Sequence, residues 1–530
     1  LYVKMNHRGE QLTDFENFKA DFVGYMRKEE NKSLNAFVDV KSNYIISKLD
    51  TTWSDLFWDP KEIQLKSNLA IDNEEKSDLM IDDLFFLFIK LFFADSLYEN
   101  YNNNQNIIKT IQNQHNSPYT SFNIYENVVT KEIIEKLQKT LDGIPKGFNE
   151  LIRDAIPLIA NLDFVFLPQH IKSETEKTRL VIKYPKTTQE RVLFHSICQF
   201  LVYSKEDIYF QDQNKKICLT NNFKHWLRLS ANFAYSKVIE SEKQIFPRIT
   251  LINEISSYLT DCQGWADVYS AMKKYNPRSN DNMISHEISK INIILSNPAT
   301  EKGILDLEGM PLFGGWIDCF LEEVCLVCPI GKNNCQHHSS IFEREYNIFK
   351  TNDWITAGKE KLYNLFKACL VECSKQNLSD IGLEFTSMHD GYQKTFSNGL
   401  LLPFKSVMAQ LLQGGSVNTI INGYKNSTSR NNEWFTPLIL DDKNVLWKYA
   451  TNGYIREKNN NIVYLYYKQK SIPKKDIDLK GFFSGILNNG LNLQDIKSIE
   501  KKDKEWILKD GQDHKYSMSE DYKSVLGCLK

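Results

Sequence analysis

Thr13 stands three residues ahead of Glu16, and Phe15, Phe18, Phe22 and Met26 then recur at intervals of three and four. A threonine hydroxyl at a helix start can accept the backbone N–H three residues on. The glutamate at that position can reach back to the threonine N–H, so two donors that a helix start leaves orphaned are satisfied together. The aromatic residues at this spacing share one face of the helix. Such a stripe cannot stay in water, so the chain must supply other helices to cover it.

The same period predicts helices over 131–141 and 148–158, and again over 187–203, where Val192, Phe194, Ile197, Phe200 and Leu201 fall on one face. The longest apolar run, Leu84 to Phe93, is bounded by Asp82, Asp83 and Asp95 and interrupted by Lys90. A bilayer span needs roughly 20 apolar residues, so this reads as a buried core helix and no membrane partner is expected. Tyr101 and the asparagines up to Asn106 read as a loop between helices.

The tail has a different pattern. Gly453–Arg456 and Asn461–Tyr467 read as strands, and Glu505–Leu508 with His514–Met518 read as a hairpin around Asp510-Gly511, a preferred turn pair. The fold class is therefore mainly α, with a small mixed α+β unit at the C-terminal end. The expected divisions are residues 1–30, 31–335, 336–470 and 471–530.

Composition narrows the partners. A formal net charge of -2 over 530 residues gives no whole-chain attraction to DNA or an acidic membrane, although a local patch stays open. Ten cysteines scattered through apolar settings read as free thiols in a reducing, cytoplasmic compartment.

The opening segment also carries a resemblance. Asn6-x-Arg8-Gly9 followed by Leu12-Thr13-x-Phe15-Glu16-Asn17-Phe18-Lys19 resembles the closing motif of the N-terminal domain of GmrSD-type restriction endonucleases. Lys48 to Trp58, with Trp53, is similar to the next stretch of that family. Trp226-x-Arg228-x-x-x-Asn232, His286-Glu287 through Lys290, and Glu308 to Gly315 look like landmarks of its helical region. The family usually has two acidic residues where His286 and Glu287 stand. The resemblance implies a ParB/sulfiredoxin-like front domain that hydrolyses a nucleoside triphosphate with a divalent metal. It also implies that residues 1–30 are the tail of that domain and that this chain is the C-terminal portion of a longer defence protein.

Several residue sets could carry chemistry. Asn6, Arg8 and Gly9 offer a turn, backbone N–H groups and a guanidinium near a helix start, the ingredients of a nucleotide phosphate site. Equally, Arg8 can pair with a carboxylate and serve the fold alone. Arg228 and Asn232 lie one helical turn apart and can contact DNA phosphate or join an internal hydrogen-bond network. Cys325, Cys328, Cys335 and His337 have the ligand types of a zinc site without clean spacing in the second half, so a buried-cysteine reading competes.

GmrSD-type proteins often carry a His-Asn-His nuclease. Here His170 in Leu167-Pro168-Gln169-His170 has no partner Asn and His at workable spacing, and His337, His338 and His389 are isolated in the same way. No Walker loop, dinucleotide glycine motif, zinc His-Glu-x-x-His helix or Gly-x-Ser-x-Gly elbow is present. Asp510-Gly511-Gln512 is followed by Asp513 and His514, so it reads as a turn and not as the family's Asp-Gly-Gln-Gln-Arg signature. Two functions follow: the helical body of a nucleotide-hydrolysing defence protein that senses or holds DNA, or a non-catalytic helical scaffold acting through partner proteins.

Overall fold

The computed structural model describes residues 12–38, 45–57, 74–113, 119–172, 180–236, 242–276, 282–310, 313–317, 320–321, 338–352, 354, 362–375, 382–384, 401–427 and 439–440, and the strand segments 453–458, 462–467, 496–502, 505–510 and 515–518. The fold is mainly α. It divides into two units, Leu1–Ala234 with Ile239–Ile291, and Tyr235–Val238 with Asn292–Lys530.

The first unit opens with α1 (Asp14–Met26). Its start is the expected capping box: Glu16 N–H donates to Thr13 Oγ1 at 3.1 Å, and Thr13 N–H donates to Glu16 Oε2 at 2.8 Å. Such a cap is worth about 1 kcal/mol. Phe15, Phe18, Phe22 and Met26 are buried. They pack on the long α3 (Glu74–Ser96), with Phe15 5.1 Å from Phe85 and Phe18 4.8 Å from Phe86, ring centre to ring centre. The short α2 (Ile45–Leu49) lies between them in sequence, followed by Trp53, which is buried and donates to Asp142 at 2.8 Å. Burying each such ring contributes roughly 1.5–3 kcal/mol, so the aromatic stripe holds this corner together.

The Asn-rich run is helical, not a loop. It forms α4 (Tyr101–Asn113), in which Tyr101, Ile108 and Ile111 are buried. Seven- and three-residue spacings put those three on one face, and their burial outweighs the poor intrinsic helix preference of asparagine. Next come α5 (Lys131–Gly143) and a second departure. The predicted helix over 148–158 is broken into α6 (Phe148–Ala155) and α7 (Pro157–Asn161), with Ile156 extended between them. Pro157 lacks the N–H that would continue the helix and pushes its predecessor out of helical geometry.

Then come α8 (Thr188–Tyr203), buried from Val192 to Val202, α9 (Asn221–Tyr235), α10 (Ile245–Asp261), α11 (Val268–Lys273) and α12 (Asn282–Ser296). Thr187 and Glu190 make a second capping box at the start of α8. Two antiparallel hairpins interrupt the helices, β1 (Gln169–Lys172) with β2 (Leu180–Lys183) and β3 (Tyr209–Gln211) with β4 (Ile217–Leu219).

The second unit contains α13 (Glu301–Glu308), α14 (His338–Thr351), α15 (Tyr363–Lys375), α16 (Leu401–Leu412) and α17 (Val417–Asn426). Phe313, Phe320, Phe349 and Phe404 form its aromatic centre. Strands β5 (Gly382–Glu384), β6 (Gly453–Lys458) and β7 (Ile462–Tyr467) make one antiparallel sheet. Strands β8 (Ile496–Lys502), β9 (Glu505–Asp510) and β10 (Lys515–Met518) make another, with Lys509 opposite Lys515 across the predicted turn. Among the described residues, no helix is long and apolar enough to cross a membrane.

Candidate functional site

Helix α9 delivers Trp226, Arg228 and Asn232, and α12 delivers His286, Glu287 and Lys290. The Trp226 indole N–H donates to the Ser196 carbonyl on α8 at 2.7 Å and its ring meets Trp265 at 5.0 Å, which fixes the rotation of α9. That rotation aims Arg228 and Asn232 inward. Arg228 Nη1 donates to the Tyr269 hydroxyl at 3.1 Å, and Nη2 donates to Glu287 Oε2 at 3.2 Å. Asn232 Nδ2 donates to the same Glu287 oxygen at 3.1 Å. The other oxygen, Oε1, accepts from Lys290 Nζ at 2.5 Å, and His286 Nδ1 stands 3.6 Å from it.

The cluster is dry. Arg228, Asn232 and Glu287 are each 1% exposed and Lys290 is fully buried. Burial alone would raise the Glu287 carboxyl, but Lys290 and Arg228 beside it, with His286, outweigh that and hold it well below the usual carboxylate range. His225 stacks flat on Tyr269, with ring centres 3.7 Å apart. Burial, helped by the nearby Arg228, lowers its imidazole to about 4, so it is neutral at neutral pH. Both Glu287 oxygens are occupied by cationic or amide donors. The carboxylate therefore serves as an anchor for α9 and α12.

Arg228 and Asn232 do share a face, as their spacing predicts, and the structure brings them to one carboxylate. At 1% exposure neither side chain reaches a DNA backbone in this conformation. Asn6, Arg8, Gly9, Cys325, Cys328, Cys335 and His337 lie outside the described residues, as does the Gly511 turn residue. Among the described residues, no group of three His, Cys, Asp or Glu side chains is placed to hold a metal. His170 lies on β1, buried, and Asn149 nearby binds the backbone around it: Phe166 and Leu167 N–H donate to Asn149 Oδ1 at 2.8 and 3.0 Å.

Sequence reasoning missed a second buried network. His195 on α8 lies between Asp95 at the end of α3 and Asn253 on α10, at 2.8 and 2.7 Å. The available signal was a histidine in the middle of an otherwise apolar helix stretch, but its partners are 100 and 58 residues away and no local pattern names them. The chain matches no family model, no curated protein and no solved structure.

Proposed function

We propose that this chain is the helical body of a GmrSD-like phage-defence or restriction protein. In this reading a ParB/sulfiredoxin-like domain hydrolyses a nucleoside triphosphate with a divalent metal, Asn6, Arg8 and Gly9 contact the nucleotide phosphates, and the helices sense or hold DNA. One observation supports it above the others. The Trp226-x-Arg228-x-x-x-Asn232 and His286-Glu287-x-x-Lys290 segments, on which the resemblance of the helical region rests, meet in a single buried ionic cluster. Residues that matter together in a fold are expected to touch, and these do.

A second reading is a non-catalytic helical scaffold working through partner proteins. The burial of Arg228 and Asn232 favours it for the described helices, because their polar groups are spent on Glu287 and not offered outward. The two readings separate on nucleotide turnover by the complete protein, measured with ATP and GTP, with and without DNA. Turnover that DNA changes and Arg8→Ala abolishes is the expected result. No turnover under any of these conditions overturns the first reading, and turnover unchanged in Arg8→Ala removes Arg8 from the phosphate site.

A further inference from the structure

His195 is 2% exposed and sits where α3, α8 and α10 come together. Its Nδ1 lies 2.8 Å from Asp95 Oδ2, and its Nε2 lies 2.7 Å from Asn253 Oδ1. A neutral imidazole carries one N–H and can donate from one nitrogen only. Here an oxygen acceptor faces each nitrogen, at the short separations typical of charge-assisted N–H···O bonds. We propose that His195 is held as an imidazolium between Asp95 and Asn253, and that this pair of bonds is a proton-dependent clamp on the three helices.

The surroundings fit a single buried positive charge. From α3 the facing charge is Asp95, whose Oδ2 lies at the ring and whose second oxygen, Oδ1, is buried with no hydrogen-bond partner among the described residues. From α10 comes the neutral amide of Asn253. On α8 itself, Gln199 places its side-chain amide nitrogen 3.2 Å from Nε2. With both ring nitrogens protonated, that amide has to turn over and present its oxygen to the ring. Cys198 is fully buried, and burial together with Asp95 keeps its thiol protonated. From α5, Thr140 bonds Cys198 and Lys139 is turned to the Val202 carbonyl at 3.3 Å. Arg191, one turn before His195, is engaged by the Tyr98 hydroxyl at 3.1 Å.

Loss of the ring proton removes one of the two bonds and leaves an amide oxygen facing a lone pair. The clamp is therefore closed while the ring holds both protons and loosens when it gives one up.

The test is nitrogen NMR of the whole chain labelled at histidine, with His195→Gln assigning the signal, alongside hydrogen exchange of α3, α8 and α10. The expected result is a doubly protonated His195 ring at about pH 7. Amide protection in the three helices should fall about tenfold more than intrinsic exchange accounts for as pH is raised by about two units. Asp95→Asn should leave a singly protonated ring and flat protection. Asn253→Asp, which adds a carboxylate at Nε2 and keeps the geometry, should carry the doubly protonated ring to higher pH. A singly protonated ring in the unaltered protein at about pH 7 overturns the proposal, and that measurement stands even if Asp95→Asn fails to fold.

Discussion

Arg228 and Glu287 are 59 residues apart in sequence and meet at 3.2 Å with both side chains 1% exposed. A buried ion pair of this kind contributes little net stability compared with a well-packed apolar pair, because desolvating both charges offsets their attraction. Removing one member is a different matter, since the other is left charged in a dry site. The pair therefore makes the contact between α9 and α12 specific, and it is sensitive to single changes.

Glu287→Gln should destabilise the first unit by about 3–5 kcal/mol, since Arg228 and Lys290 both lose their carboxylate. The double variant Arg228→Met with Glu287→Gln should cost less than the sum of the two single changes. Local hydrogen exchange in α9 and α12 is the readout. Additive effects would mean that the two residues do not act as a pair.

An acid limb follows from the same carboxylate. The folded Glu287 lies below its ordinary value, so the unfolded chain takes up the proton first as pH falls. Its stabilisation is full above the unfolded glutamate pKa of about 4.3 and is lost as pH drops below that toward the folded value. Protection of α9 and α12 followed from about pH 6 to about pH 3 should decline in the unaltered protein. In Glu287→Gln that component of the decline should be missing.

Lys90 is a buried charge that its site disfavours. It lies in the aromatic stretch of α3 with Nζ 4.0 Å from the Phe86 ring centre, and burial, opposed by Asp83 and Asp14, lowers it to about 8. Between about 8 and its ordinary value of 10.5 the unfolded chain binds more protons, so stability rises with pH across that window. At neutral pH the buried charge is a net cost. Lys90→Met, similar in shape, should raise stability by up to about 3 kcal/mol and flatten the alkaline rise. Thermal melts at about pH 7 and about pH 10 decide it, and a destabilised variant would mean that Lys90 is a structural ion-pair donor.

Asn149 holds an irregular segment by four bonds. Besides accepting from Phe166 and Leu167, it donates to the Leu167 carbonyl at 2.9 Å and to Gln169 Oε1 at 3.1 Å. Asn149→Ala strands two buried backbone donors, each costing about 1–3 kcal/mol. The expected loss is about 2–4 kcal/mol, with exchange increasing first in residues 164–169 and in β1. Asn149→Asp keeps the acceptor and should recover part of it.

Much of this architecture was written locally. The Thr13–Glu16 box, the Phe15 to Met26 stripe, the apolar run in α3 and the period of α8 are properties of residues within two or three turns of one another. Side-chain spacing on a helix is set by the backbone, so such features are readable without a partner. Two readings failed where a distant or steric term prevailed. Burial of Tyr101, Ile108 and Ile111 drew the asparagine run into a helix, and Pro157 cut a period that apolar spacing alone would have continued.

The amino-acid order alone thus determined the helical class, the caps and which faces must be covered. Which polar groups end up bonded to one another was decided only by tertiary packing. Arg228 and Asn232 carry the same spacing whether they face solvent or Glu287, and His195 looks like any helix histidine until Asp95 and Asn253 arrive from elsewhere in the chain. The physical reason is that spacing sets direction within a helix, while charge and hydrogen-bond partners are set by what other helices bring within 3 Å or so of that direction.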